Sequence, residues 1–117
     1  MIRIYHNARC GKSRCALQEL EATAQPFELV EYLKTPLSVA DVAQLLRQLG
    51  KRPLDIIRTK EPLFQEKFSG RQLSDDAWIE VLAEHPLLLE RPIIVVGESA
   101  WIARDEEGLA AIRALAL

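Results

Sequence analysis

The chain has 117 residues, of which 49% are hydrophobic, and a formal net charge of -2. This length predicts one domain spanning residues 1–117, and the nearly balanced charge argues against a nucleic-acid or membrane partner. Two cysteines are too few for a disulfide framework. No long apolar run precedes Cys10, so the amino terminus predicts a strand rather than a signal peptide, and we expect a cytoplasmic monomer.

The first predicted elements form a strand–helix–strand unit. Residues 2–5 are a short apolar run, residues 13–24 carry apolar residues at helical spacing, and residues 27–32 alternate as a strand does. Two strands joined by a helix should be parallel, with a right-handed crossover.

Only helices and turns are predicted between residues 37 and 86. Ser38 caps the first helix and Gly50 ends it, while Ser74 caps the last. The four predicted helices span residues 38–50, 53–58, 61–68 and 75–84. We expect this stretch, about 37–86, to be a helical insertion within the single domain.

The end of the chain predicts a hairpin followed by a helix. Residues 92–96 and 100–103 are apolar strands on either side of a turn at residues 97–99, and residues 105–117 predict a helix. The whole pattern indicates an α/β fold, thioredoxin-like in outline, with a four-stranded mixed sheet, flanking helices and the insertion.

Cys10 should lie where the first strand turns into the first helix. Unpaired backbone N–H groups and the positive end of the helix dipole meet there, and both stabilise a thiolate or an oxyanion. Arg9, Lys12 and Arg14 add positive charge nearby. A nucleophilic cysteine and an ordinary, partly buried thiol both remain open at this point.

Cys10-Gly11-Lys12-Ser13 resembles a C-x-x-C redox motif whose second thiol has become a hydroxyl. Such a site needs an external thiol to resolve a mixed disulfide. Cys15 lies roughly 7.5 Å further along the helix, beyond the reach of about 7 Å between Cα atoms. It is therefore interpreted as a small buried residue. Replacing Ser13 with Ala should remove at most a hydrogen bond at the helix end.

Other sites suggested by the motif do not fit. His6 occupies the position of the first glycine of a P-loop, and Ala16 that of the arginine in a phosphatase loop. His6, Cys10 and Cys15 lack both a fourth ligand and suitable spacing for zinc, so no metal is expected. His6 could stabilise the Cys10 thiolate or simply face solvent at the strand end. His85 fits a structural role at a helix C-terminus.

Three arginines stand at the ends of predicted elements: Arg58, Arg91 and Arg104. In a thioredoxin-like sheet the proline that leads the third strand, here Pro92, lies beside the active cysteine. That placement would bring Arg91 close to Cys10. Each arginine taken alone is more often a solvated surface charge, and it is their joint placement at element ends that favours a site.

Taken together, these residues resemble a known family, the ArsC-like glutaredoxin-coupled arsenate reductases and their short relatives. The matching segments are Tyr5 to Asn7, Cys10 to Arg14, Ile57-Arg58, His85-Pro86, Glu90 to Val96 and Ile102 to Arg104. The resemblance covers nearly the whole length and implies the same thioredoxin-like fold with a helical insertion.

The resemblance implies a mechanism. Cys10 would attack arsenate, His6 would help to lower its pKa, and Arg58, Arg91 and Arg104 would surround the oxyanion. Asn7, Gly11, Lys12, Ser13, Arg14 and Pro92 would support this site. No cofactor would be bound; glutathione would be the co-substrate, glutaredoxin would accept the mixed disulfide, and arsenite would be released.

The chain also departs from the family pattern. Ala8 and Asp105 stand where family members often have proline, and Asp105 would either place a negative charge beside the anion site or cap the last helix. Two alternatives remain open: a thiol oxidoreductase with another substrate, and a regulator of the same fold that binds RNA polymerase. Ser13 argues against a disulfide switch in such a regulator.

Overall fold

The computed structural model describes residues 1–116, which fall into two compact units. The first consists of Met1–Thr35 together with the chain from Arg91 onward, and the second is Pro36–Glu90. The predicted insertion, residues 37–86, lies within the second unit. The organisation of both units as one domain stays a prediction.

The described residues form four strands and five α-helices. The strands are β1 (Ile2–Tyr5), β2 (Phe27–Val30), β3 (Ile93–Val96) and β4 (Ser99–Ile102). The α-helices are α1 (Gly11–Ala22), α2 (Val39–Leu49), α3 (Pro62–Lys67), α4 (Asp75–Glu84) and α5 (Glu106–Arg113). Two short 3-10 helices span Pro53–Ile56 and Pro86–Leu88.

The first unit is built on a four-stranded mixed sheet with the order β2-β1-β3-β4. β1 lies at its centre, parallel to β2 and antiparallel to β3, so that Ile4 stands opposite both Leu29 and Ile94. β4 runs antiparallel to β3. The predicted α/β class, the parallel first pair and the hairpin are confirmed.

One apolar core holds the sheet and its helices together. Ile4 of β1, Leu20 of α1, Ile94 of β3 and Ile112 of α5 are all fully buried in it. Burying a large aliphatic side chain contributes roughly 1.5–3 kcal/mol. This core fixes α1 against the sheet and therefore fixes the position of the residues at the start of α1.

Some element ends differ from prediction. α1 begins at Gly11 rather than residue 13, because Cys10 already serves as its N-cap. β2 ends at Val30 rather than residue 32. α5 begins one residue after its cap and ends at Arg113, so the predicted helix over 105–117 was too long. Leu117 lies outside the described residues.

The second unit is mainly helical. Ser38 and Asp41 form a reciprocal capping box at the start of α2, and Gly50 ends that helix with φ 65°. Phe64 and Trp78 are stacked with ring centroids 5.8 Å apart. His85, at the C-terminal cap of α4, packs edge-on against Phe68 at 5.5 Å.

Among residues 1–116, no helix combines the length and apolar composition needed to cross a membrane.

Candidate active site

Cys10 is the N-cap of α1, in extended conformation with φ -97° and ψ 123°. Its carbonyl oxygen accepts a hydrogen bond from Arg14 N at 3.0 Å, which closes the first helical turn. The next backbone N–H groups have no partner within the helix, as in any first turn. They are therefore available to the Cys10 side chain, which is partly exposed.

The surroundings of Cys10 favour its thiolate. Partial burial by itself raises the pKa of the thiol. Hydrogen bonds from the backbone N–H groups of Ser13 and Lys12, together with the Arg91 guanidinium, outweigh that effect. The net result is a pKa below the ordinary value, as expected for a cysteine at a helix N-terminus beside an arginine.

Asn7 organises the loop that carries Cys10. Its backbone oxygen accepts from Cys10 N at 3.0 Å, and its side-chain Oδ1 accepts from Arg9 N at 3.0 Å. Its own backbone N–H donates to Ser13 Oγ at 3.1 Å. Ser13 is fully buried and is the third residue of α1, so this bond joins the loop to the first turn of the helix.

His6 follows β1 and is buried, with only 4% of its surface exposed. Burial lowers its pKa, a change partly opposed by Glu31 and by a hydrogen bond with the Ser13 backbone, and the nearby charge of Arg14 lowers it further. His6 Nδ1 has no hydrogen-bond partner. The neutral imidazole is therefore favoured over an imidazolium beside Cys10, and of the two alternatives that the sequence leaves open, the solvent-facing side chain is excluded.

Arg91 precedes β3 and Arg104 follows β4, and a hydrogen bond joins the two residues. Arg91 lies next to Cys10, and its buried Nε has no hydrogen-bond partner. An Arg104 guanidinium nitrogen donates to the Arg91 carbonyl oxygen at 3.4 Å, and Ala103 N donates to Pro92 O at 2.9 Å. The Arg91–Pro92 peptide bond, which the sequence leaves undetermined, is cis. Of the three predicted arginines, Arg91 thus stands beside the cysteine and Arg104 contacts the backbone of Arg91.

Arg58 belongs to the second unit. Its guanidinium is 3.0 Å from the Glu61 carboxylate and donates to Leu87 O at 3.3 Å. Its role at an oxyanion site stays a prediction.

Asp105 caps α5, because its Oδ1 accepts from Gly108 N at 2.8 Å. Of its two predicted roles, capping is therefore the one seen. Gly108 lies so close to the preceding strand that an added Cβ would come within 2.7 Å of Ala103 Cα. The helix cap and this close approach hold the chain on both sides of Arg104.

The remaining cationic residues are exposed. Lys12 and Arg14 lie on the open side of α1, and an Arg14 guanidinium nitrogen donates to Ala8 O at 3.0 Å. Gly11 is also exposed, with Arg14 Nη2 3.7 Å from where its Cβ would stand. Lys12 and Arg14 therefore add positive charge near Cys10, but no buried partner among the described residues holds their side chains in place.

Cys15 is exposed, so the prediction of a buried residue was wrong. The buried stripe of α1 runs through Ser13, Ala16 and Leu20, and position 15 falls outside it. The same spacing could have revealed Ser13 as buried. Among residues 1–116 there is no group of three or more metal-ligating side chains.

The chain resembles known proteins over nearly its whole length. The sequence model of the ArsC family matches residues 5–112. An arsenate reductase of Neisseria meningitidis serogroup A is 36% identical over 113 residues, covering 95% of this chain and 97% of the relative. The uncharacterized Escherichia coli protein YfgD is 39% identical over 108 residues, covering 91% of each.

A solved structure shows the same fold. The arsenate reductase from Vibrio cholerae superimposes with a TM-score of 0.88 at 41% identity, covering 95% of this chain and 96% of that one. A family match over residues 5–112, carried by a chain with this sheet and this cysteine, leads to one conclusion: the chain belongs to the ArsC family.

Proposed function

We propose that this protein is an arsenate reductase in which Cys10 is the nucleophile. The observation that carries the proposal is the position of the Cys10 thiol, at the N-terminus of α1 and beside the Arg91 guanidinium. A thiolate needs this setting to approach an oxyanion, because two negative charges must otherwise meet without compensation. The arsenate reductase named among the relatives supports the substrate.

In the first step the Cys10 thiolate attacks arsenic. A sulfur–arsenic bond forms, and one protonated oxygen leaves as water while arsenic remains pentavalent. The guanidiniums of Arg91 and Arg104 would hold the remaining oxygens, since planar donor forks suit tetrahedral oxyanions. Arg58 is the third candidate for this task.

External thiols would supply the two electrons. The glutathione sulfur replaces a second oxygen on arsenic, which leaves as water. A glutaredoxin thiolate then attacks the glutathione sulfur, and the electron pair of the broken sulfur–arsenic bond stays on arsenic, which becomes trivalent. Water releases arsenite and the free Cys10 thiol. The net products are arsenite, the glutathione–glutaredoxin mixed disulfide and water.

A coupled assay tests the proposal. Purified protein, arsenate, glutathione, glutaredoxin, glutathione reductase and NADPH should give arsenate-dependent NADPH oxidation. Cys10→Ser should abolish it, because a hydroxyl is a far weaker nucleophile near neutral pH. The matched control is Cys15→Ser, which changes the other cysteine and should retain most activity.

Three results would contradict the proposal in different ways. Reduction of a small disulfide without arsenate reduction would indicate a thiol oxidoreductase with another substrate. Turnover with thioredoxin alone, lost in Cys15→Ser, would show an internal disulfide cycle. A cellular function that survives Cys10→Ser would point to the non-enzymatic RNA polymerase-binding regulator.

A further inference from the structure

Buried polar side chains are concentrated close to Cys10 in the chain, where β1 turns into α1. Among residues 1–116 the buried polar residues are His6, Asn7, Ser13 and Thr23. The first three lie at the junction of β1 and α1, whereas Thr23 lies at the opposite end of the same helix. Buried polar groups carry a cost unless they are hydrogen-bonded, so this concentration calls for a physical reason.

Ser13 connects the members of this cluster. Its Oγ accepts from Asn7 N at 3.1 Å. Its backbone is also one of the causes that lower the pKa of Cys10 and oppose the lowering of the pKa of His6. Because Ser13 is fully buried, water cannot replace Oγ as acceptor. Without that oxygen, the buried N–H of Asn7 would be left unpaired.

The bond acts on the whole Cys10 loop. Asn7 accepts hydrogen bonds from both Arg9 N and Cys10 N, so the loop is held by Asn7. Asn7 is in turn attached to α1 through the hydroxyl of Ser13. The distance between the Cys10 side chain and the first-turn N–H groups therefore depends on this attachment.

We propose that Ser13 is a positioning residue, whose hydroxyl holds the Cys10 loop against α1 so that the first-turn N–H groups reach the thiol. Ser13 stands where a C-x-x-C motif has its resolving cysteine, and in this proposal it also positions the reacting cysteine. The proposal rests on the proposed function only in taking Cys10 as the reacting thiol.

The test is Ser13→Ala in a Cys15→Ser background, so that one thiol remains. The rate of alkylation by iodoacetamide is measured from acidic to alkaline pH, which gives the apparent pKa of Cys10. The charged side chain acting on this thiol is Arg91, while Glu31, Arg14 and Glu21 act on the neighbouring His6. None of them is changed in the variant.

We expect Ser13→Ala to raise the apparent pKa of Cys10 by about one unit, which makes the thiolate up to about tenfold scarcer at pH values below the pKa of the unchanged protein. The rate at high pH, where the thiol is fully ionised, should stay the same. Alanine has a high helix propensity, and the substitution removes only one oxygen atom, so the variant should keep α1 intact. Circular dichroism and the melting temperature check this.

Thr23→Val is the matched control. Thr23 is also a buried hydroxyl residue but lies at the opposite end of α1, where its Oγ1 donates to Leu20 O at 2.7 Å and accepts from Gln25 N at 3.2 Å. Its loss should lower stability without moving the pKa of Cys10. An unchanged pKa in Ser13→Ala, or an equal rise in Thr23→Val, would overturn the proposal.

Arsenate is absent from this experiment. If the protein fails to reduce arsenate but Ser13→Ala raises the pKa, the positioning role stands and only the proposed substrate falls. If arsenate is reduced but the pKa of Cys10 does not move in Ser13→Ala, the proposed function stands and the positioning role falls.

Discussion

The guanidinium of Arg58 stands 3.0 Å from the carboxylate of Glu61, and both side chains are largely shielded from solvent. The family resemblance implies that Arg58 binds the oxyanion, and this ion pair affects how well Arg58 could do so. An arginine already paired with a carboxylate can bind an incoming anion only in competition with it. Glu61 is thus an internal competitor for any oxyanion that uses Arg58.

Glu61→Gln should therefore lower the KM for arsenate, by up to about fivefold if the pair is worth about 1 kcal/mol. The measurement is the KM in the coupled assay. Glu66→Gln, which neutralises an exposed carboxylate on α3, the short helix that Glu61 precedes as N-cap, is the matched control and should change little. A KM unaffected by either change, with Arg58→Ala equally silent, would remove Arg58 from the site.

Arg91→Ala should weaken oxyanion binding and slow turnover. Losing one charge-assisted bidentate contact costs on the order of 1.5–3 kcal/mol, and the Cys10 thiolate loses its neighbouring guanidinium as well. Sulfate or arsenate binding by calorimetry and the coupled assay measure both effects. Arg47→Ala, an exposed arginine of α2, is the control; equal effects of the two changes would contradict a specific site.

Cys10 should react with iodoacetamide faster than Cys15 at pH 7, although Cys15 is the more exposed thiol. The reason is the lowered pKa of Cys10, which leaves more thiolate at neutral pH. Its rate should fall only when the pH drops below that lowered pKa. Mass spectrometry of partly labelled protein identifies the modified residue, and preferential labelling of Cys15 would reverse the assignment.

Acidification should destabilise the fold through His6. Burial lowers the pKa of His6 from its ordinary 6.5, so between the two pKa values the unfolded chain binds more protons than the folded one. Stability is therefore fully present above pH 6.5 and is lost as the pH falls toward the folded pKa. Denaturant unfolding at several pH values should show this slope flattened in His6→Gln, whereas in His85→Gln it should persist.

Gly108→Ala should lower the melting temperature. The added Cβ would lie 2.7 Å from Ala103 Cα and 3.0 Å from Ile102 O, which are backbone atoms that cannot move aside locally. Overpacking of this kind costs about 1–3 kcal/mol. Gly11→Ala is the control for stability, since its Cβ would meet only the flexible end of Arg14 at 3.7 Å; an equal loss in both would mean that the close approach is not the cause.

Sequence periodicity predicted the sheet, and the likeness of that sheet to a thioredoxin sheet predicted the meeting of Arg91 with Cys10. A proline-led strand antiparallel to the central strand must bring its first residues beside the end of β1. The side chains of α1 were harder to place. Cys15 was assigned inward because it lies beyond disulfide reach of Cys10, yet the stripe of Ser13, Ala16 and Leu20 decides the buried face.

The polar partners were not predictable in the same way. The bond from Asn7 N to Ser13 Oγ depends on the path of a short loop, and the pairing of Arg58 with Glu61 depends on the turn before α3. Neither the loop nor the turn has the helical or strand periodicity that can be recognised in a sequence. Composition and spacing therefore identify the reacting atoms better than they identify the groups that hold those atoms in place.

Because β1 is paired with β3, a strand from late in the chain, the Cys10 thiol can be fully activated only late in synthesis. Cys10 is synthesised early, with the strand that ends at Tyr5, but the guanidinium beside it comes from Arg91, at the start of β3. A growing chain that has not reached residue 91 can offer its cysteine no such neighbour. During translation, the arginine-dependent part of thiol activation is therefore postponed until most of the chain has been made.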